Sequence, residues 1–239
     1  MYIIKRKRIS LILIALMLGI FVYSYENQKL DTDEQTQSTT ATPVSGKVIV
    51  VDAGHGVPDE GAQSSRGTTE AETNLKISLK LQNLLEQSGC TVILTRSDEN
   101  EIYDLDKTTL REKKISDIRN RVKIGNNASA DLFVSIHLNK IPQQQYWGWQ
   151  CFYNSKNEKS VNLAKKIQAN LNESIQKDNK RVAMKLDTVY IMKHVEIPIS
   201  IVECGFLSNP EEEQQLLDDE YQNKLAWGIF NGIIEYFNE

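Results

Sequence analysis

From Lys47 onward the chain alternates short β-branched runs with stretches of helical period, which limits it to an α/β domain on a mostly parallel sheet. KVIVVD (47–52) is the first such run and leads into a Gly-rich loop. Thr69 and Glu72 then stand in capping-box spacing and open a helix carrying Leu75, Ile77, Leu79, Leu81, Leu84 and Leu85, which Gly89 stops. CTVILT (90–95), DLFVSI (131–136), WGWQCFY (147–153), TVYIM (188–192) and PISIVEC (198–204) bring the strands to six. Ile115, Ile118 and Val122 mark a helix over 110–126, and Val161, Ala164, Ile167, Leu171 and Ile175 mark another. Asn209 before Pro210 is a cap followed by a first-turn proline, and Leu225, Ala226, Ile229, Ile233, Tyr236 and Phe237 line the last helix. The expectation is one domain, 47–239, with a six-stranded, mostly parallel twisted sheet flanked by helices.

Two segments precede it. Residues 26–46 are polar, rich in Thr, Gln, Ser and Asp, and read as a linker that buries too little surface to fold. Residues 1–25 hold Lys5, Arg6, Lys7 and Arg8 before an apolar run over 9–22. Positive charge stays on the cytoplasmic side, so the chain beyond the apolar run is expected to be extracytoplasmic. The run is short for a spanning helix and also suits a cleaved signal peptide, which would leave the protein secreted. No small-x-small cleavage pattern comes after it, which favours an uncleaved N-terminal membrane anchor.

The formal net charge is −4, and with the +4 of the basic stub removed the rest of the chain sums to −8. An acidic body without a basic stripe excludes nucleic acid as a partner, since phosphates are held by Lys and Arg. Cys90, Cys151 and Cys204 are odd in number and lack CxxC spacing. Cys90 and Cys204 lie in apolar runs and read as buried, inert thiols.

In an open parallel sheet, ligands gather beyond the carboxyl ends of the strands. His55 follows the first strand, His137 follows DLFVSI, and Glu203 ends PISIVE. Glu70 opens the first helix and is brought to the same rim. Two imidazoles and one carboxylate suffice for a catalytic zinc site with an open position for water, and a second carboxylate can act as general base. Each residue also has a plainer reading. A single histidine after a strand is usually a hydrogen-bonded structural group, and Glu70 at a helix start is stabilised by the helix dipole. Glu203 is harder to dismiss, because an unpaired buried carboxylate is expensive. His194, in the polar stretch KHVE, reads as a surface residue. Trp147 and Trp149 suit either a sugar groove or core packing. The loop DAGHG lacks the spacing of a phosphate cradle.

At these residues the sequence resembles the zinc-dependent N-acetylmuramoyl-L-alanine amidases of the amidase 3 type. VIVVDAGHGVPDEGA resembles the family's first metal-ligand loop and implies His55 as a ligand. TEAETNL resembles its Glu-x-x-x-Asn-Leu element and implies Glu70. RVKIGNNASADLFVSIHLN is similar to the third block and implies His137, while ISIVECGFLSN resembles the last, whose glutamate is the catalytic base, here Glu203. The resemblance implies one Zn2+ per chain and cleavage of peptidoglycan between the lactyl group of N-acetylmuramic acid and L-alanine. The small catalytic domain behind an N-terminal anchor is similar to the germination-specific amidases of spore-forming bacteria, which implies action on spore cortex during muramic-δ-lactam formation, in the forespore compartment. No wall-binding repeat accompanies it, so an activating or targeting protein partner is expected. The competing expectations are a zinc exopeptidase of related architecture and a non-catalytic wall-binding protein.

Overall fold

The computed structural model describes residues 17, 19, 23 and 42–238. Most of the expected anchor and of the expected linker therefore lies outside the described residues. Among the described residues no helix is long and apolar enough to cross a membrane. The folded unit starts at Thr42, ahead of the expected boundary at Lys47. Val44 is fully buried in the core, and Thr42 Oγ1 donates to the carbonyl of Ser88 at 2.6 Å. The composition of 42–46 is polar, but one valine and a tight turn anchor it.

The strands are β1 (Val48–Ala53), β2 (Thr91–Leu94), β3 (Leu132–Asn139), β4 (Gln150–Tyr153), β5 (Met184–Lys185) and β6 (Ile199–Phe206). They form one six-stranded sheet in the order β2-β1-β3-β6-β4-β5. β2, β1, β3 and β6 are mutually parallel, and β4 with its parallel neighbour β5 runs against β6. The helices are α1 (Glu70–Gln87), α2 (Leu110–Asn127), α3 (Glu158–Ile175), α4 (Tyr190–His194), α5 (Pro210–Leu217) and α6 (Asp219–Phe237).

The period-two alternation of the strands sets the two faces. Ile49 and Val51 of β1 pack with Ile77, Leu81 and Leu85 of α1, Leu163 and Ile167 of α3, and Ile229 and Ile233 of α6. Val50, between them, joins Phe133, Val122 of α2, Ile191 and Met192 in the second cluster. On the first face α3 and α6 approach closely. A Cβ on Gly232 would stand 2.5 Å from the Cα of Ile167, and one on Gly228 2.9 Å from the Cα of Leu171. The spacing Gly228-x-x-x-Gly232 thus puts backbone against backbone.

The caps explain where helices begin. Thr69 accepts from the Glu72 amide at the head of α1, but Glu72 turns away to pair with Lys76 at 2.7 Å, leaving half a capping box. The complete box lies at Thr109 and Glu112 before α2. Asn209 caps α5, with Pro210 in its first turn as expected.

One element departs from expectation. TVYIM is not a strand: Tyr190–His194 form the one-turn helix α4, and the fifth strand is the two-residue Met184–Lys185. The six-strand count survives only because this short edge strand replaces the misplaced one. Trp147 also precedes its strand, which begins at Gln150.

Candidate metal centre

β1 ends on a buried carboxylate. Asp52 accepts from Arg121 Nη1 at 2.6 Å, Thr95 Oγ1 at 2.7 Å and Ser135 Oγ at 2.5 Å. Burial alone would raise its pKa, but Arg121 and these hydroxyls hold it below the ordinary value. Arg121 also forks onto Asp117, one turn back on α2, with Nε at 2.6 Å from Oδ2. Its remaining donors reach the backbone carbonyls of Ala53 at 2.6 Å and His55 at 2.8 Å. Arg96 donates to Ala53 O and Gly54 O, and Asn74 adds a second donor to Gly54 O. The carbonyls of three successive residues are thus pinned by two guanidinium groups and an amide.

That framework fixes an unusual backbone. His55 has φ of 61°, a region that residues with a Cβ rarely occupy. Such strain persists only where surrounding bonds over-determine it, and it concentrates at functional sites. Two glycines make room beside it. A side chain on Gly54 would collide with the His137 imidazole, and one on Gly61 (φ +71°) would stand 2.6 Å from Glu70 Oε2 and 2.8 Å from the His55 ring.

Glu70 is the first residue of α1, where two amides meet it: Ala62 N donates to Oε2 at 2.9 Å and Leu138 N to Oε1 at 3.1 Å. Its Oε1 also lies 3.0 Å from His137 Nδ1 and 3.4 Å from His55 Nε2. The sheet supplies the rest. His137 on β3 is the register partner of Glu203 on β6, just before the pairing shifts at Asn139. One donor atom from each of His55, Glu70 and His137 lies within 4.8 Å of the other two. The three residues singled out in the sequence are therefore brought together, and they could hold a metal ion.

The charge environment favours a cation there. Burial would raise Glu70, yet the His137 and His55 contacts hold it far below the usual carboxylate range. Burial would lower His55, but Asp59 at 3.5 Å and Glu70 together push it up to about 9. Asp59 sits on the far nitrogen of His55, where a carboxylate orients a ligating imidazole, and is itself held by Lys114 at 2.7 Å.

Glu203 stands apart from this cluster of contacts. Its Oε2 is enclosed and accepts no hydrogen bond. Burial pushes its carboxyl up to about 7, with the histidines opposing and Glu70 adding to the shift. His55, His137 and Glu203 share one cavity of about 290 Å³, lined also by apolar Leu186, Val189, Tyr190 and Ile201 and by charged Asp59, Glu101 and Lys114.

The remaining candidates divide. His194 is exposed, stacked on Tyr190 with ring centroids 4.1 Å apart. Trp149 is fully buried core, and Trp147 packs against that core with Lys177 over its ring, so neither lines the cavity. All three cysteines are buried and free, and burial pushes the Cys90 thiol up to about 11. Asp52, Asn74, Arg96 and Arg121 do not stand out in the sequence, although a carboxylate closing an apolar strand signals a buried cation somewhere in the chain.

A histidine–carboxylate cluster at the carboxyl ends of parallel strands, with an enclosed glutamate beside it, is the arrangement of a metal-assisted hydrolase site. The chain belongs to the N-acetylmuramoyl-L-alanine amidase family of the amidase 3 type, which matches residues 49–235. It is 34% identical over 236 residues to the germination-specific N-acetylmuramoyl-L-alanine amidase of Bacillus subtilis strain 168, covering 98% of this chain and 96% of the relative. Among solved structures, the CwlD amidase from Clostridioides difficile, in complex with the GerS lipoprotein, is 42% identical with a TM-score of 0.79, covering 81% of this chain and 99% of that one. An N-acetylmuramoyl-L-alanine amidase from Clostridium difficile 630 is 29% identical with a TM-score of 0.72, covering 82% and 98%. The protein is an amidase of peptidoglycan, which sets aside the exopeptidase and wall-binding alternatives.

Proposed function

We propose that the amidase is zinc-dependent, with His55, Glu70 and His137 holding one ion and Glu203 acting as general base. The observation that carries this is the trio of donor atoms within 4.8 Å, next to a glutamate whose enclosed oxygen has no partner. Two imidazole nitrogens and a carboxylate oxygen suit zinc and leave a position open. A zinc ion supplies Lewis-acid polarisation of a carbonyl and acidifies water. Glu203 takes a proton from the water that adds to the lactyl carbonyl. It returns that proton to the L-alanine nitrogen as the C–N bond breaks. Burial raises the Glu203 carboxyl, which suits a group that must take up a proton and give it back. Asp59 keeps the His55 ring in one orientation, and Arg121 and Arg96 keep its loop from relaxing.

Glu203→Ala is expected to retain zinc by metal analysis and to lose hydrolysis. His137→Ala is expected to lose zinc. Normal turnover by the first variant, or full zinc content in the second, rejects these roles. Digestion of purified peptidoglycan is expected to create new L-alanine amines while the glycan stays intact.

The germination-specific relative supports spore cortex as the substrate in the cell. Comparing turnover on cortex and vegetative peptidoglycan tests it, and equal rates would count against it. The CwlD amidase was solved with a lipoprotein, which supports an accessory protein partner for this chain. The basic stub and apolar run of residues 1–25 support export and membrane anchoring, to be checked by fractionating cells.

A further inference from the structure

The cavity wall beside the metal centre carries more acid than the hydrolysis uses. Of its carboxylates, Asp52 and Asp117 share an ion pair with Arg121, and Asp59 pairs with Lys114. Glu203 has the role proposed above. Glu101 is left over. Its residue is only 8% exposed, it lines the same cavity, and its Oε2 is enclosed without a hydrogen-bond partner. A buried carboxylate without a protein partner is costly, and a ligand is one thing that can complete it.

Its position is rigid. Glu101 N donates to Val57 O at 3.0 Å, and Val57 N donates to Glu99 O at 2.7 Å, so the segment is bridged to the loop that carries His55. A Cβ on Gly56 would stand 2.7 Å from Glu101 N, so the two backbones are in direct contact. The same cavity is lined by the aliphatic side chains of Ile118, Leu186 and Val189, and by Lys114, which pairs with Asp59. Burial, with Asp117 and Asp59 adding, pushes the Glu101 carboxyl up to about 7, so a cation completes it, and a cavity lined in part by aliphatic side chains suits an ammonium at the end of a hydrocarbon chain.

We propose that Glu101 binds the free side-chain ammonium of the diamino acid in the peptidoglycan stem peptide, with Ile118, Leu186 and Val189 covering its methylenes. This rests on the amidase reading of the site and adds a specificity determinant to it. Glu101 is a binding residue that tells an unlinked stem from one whose amine is already acylated by a cross-link. An acylated amine carries no charge and would leave the carboxylate unpaired.

The test uses the zinc-loaded full chain and two substrates: a disaccharide-peptide with the diamino acid amine free, and the same compound with that amine N-acetylated. Wild-type protein is expected to show a KM about tenfold lower for the free amine, the loss of one charge-assisted hydrogen bond. In Glu101→Gln that preference is expected to vanish through a rise in KM for the free amine, with kcat for it retained. Glu101→Asp is expected to keep part of the preference. Equal KM values for the wild-type protein overturn the proposal without any variant having to fold. An equal loss of kcat on both substrates in Glu101→Gln also overturns it, because Glu101 would then serve the scissile bond. If the wild-type protein hydrolyses neither substrate, the zinc amidase reading fails instead.

Discussion

Replacing Arg121 by methionine should damage both the fold and the centre, by amounts that can be worked out. The side chain is fully enclosed and holds Asp52, Asp117 and the carbonyls of Ala53 and His55. Methionine fills the volume and supplies no donor. Breaking a buried ion pair costs about 3–5 kcal/mol, because the surviving charge is left uncompensated. Asp52 keeps Thr95 and Ser135, and Asp117 keeps the Ile102 amide, which limits the loss at each. Ala53 O keeps its bond from Arg96 Nε, so only the His55 carbonyl is released, which adds about 1 kcal/mol. A total of about 4–6 kcal/mol is a large share of the roughly 5–15 kcal/mol that holds a domain together. For a domain of this size it corresponds to a fall in Tm of about 10–20 °C. The pH dependence gives a sharper signature. In the wild-type protein the folded pKa of Asp52 is lowered, so its contribution is in place above the unfolded value of about 3.9 and is lost as pH falls through the folded pKa. In Arg121→Met burial dominates and the folded pKa rises above the unfolded one. The variant should then gain stability, relative to wild type, as pH is lowered from about 7 toward 5. Urea melts at several pH values measure both effects. A loss below about 1 kcal/mol, or no relative recovery on acidification, refutes the role given to Arg121.

Other substitutions probe other links. Gly54→Ala should displace the His137 ring and lower zinc content while far-UV circular dichroism stays native; full zinc occupancy would show that the close approach is dispensable. Gly232→Ala should cost about 1–3 kcal/mol in denaturant melts by forcing α6 away from Ile167, without changing zinc content. Arg121→Lys should fall between wild type and Arg121→Met, since one ammonium has too few donors to serve Asp52, Asp117 and both carbonyls.

Much of the architecture is legible in the sequence because its signals are periodic. β1, β3 and β6 are apolar runs buried on both faces, and α1, α3 and α6 show apolar residues at helical spacing. α2 carries a misleading signal: Ile115, which the spacing places on its inner face, is 42% exposed. Its inner face is instead Ser116, Asp117, Arg121, Val122 and Gly125. Apolar periodicity cannot see a buried stripe held by ion pairs, because the partner Asp52 lies in a different element. β5 is invisible because two exposed residues carry no pattern, and TVYIM looks like a strand because its β-branched residues suit one. At the site, strand-end logic finds His55, His137 and Glu203, since a parallel sheet collects such ends on one rim. It misses Glu101 and the arginines, because their meaning depends on which charges stay unpaired after folding.

The strand order has a consequence for when activity arises. The residues assigned to the metal fall between 55 and 137, on β1, α1 and β3, which are neighbours at one side of the sheet. Glu203 arrives on β6, the last strand in the chain, which must slot between β3 and β4. In the order of the chain, the residues proposed to hold the metal all precede the residue proposed as the base. On that assignment a molecule in which β6 has not paired with β3 lacks the base that the proposed proton transfer needs.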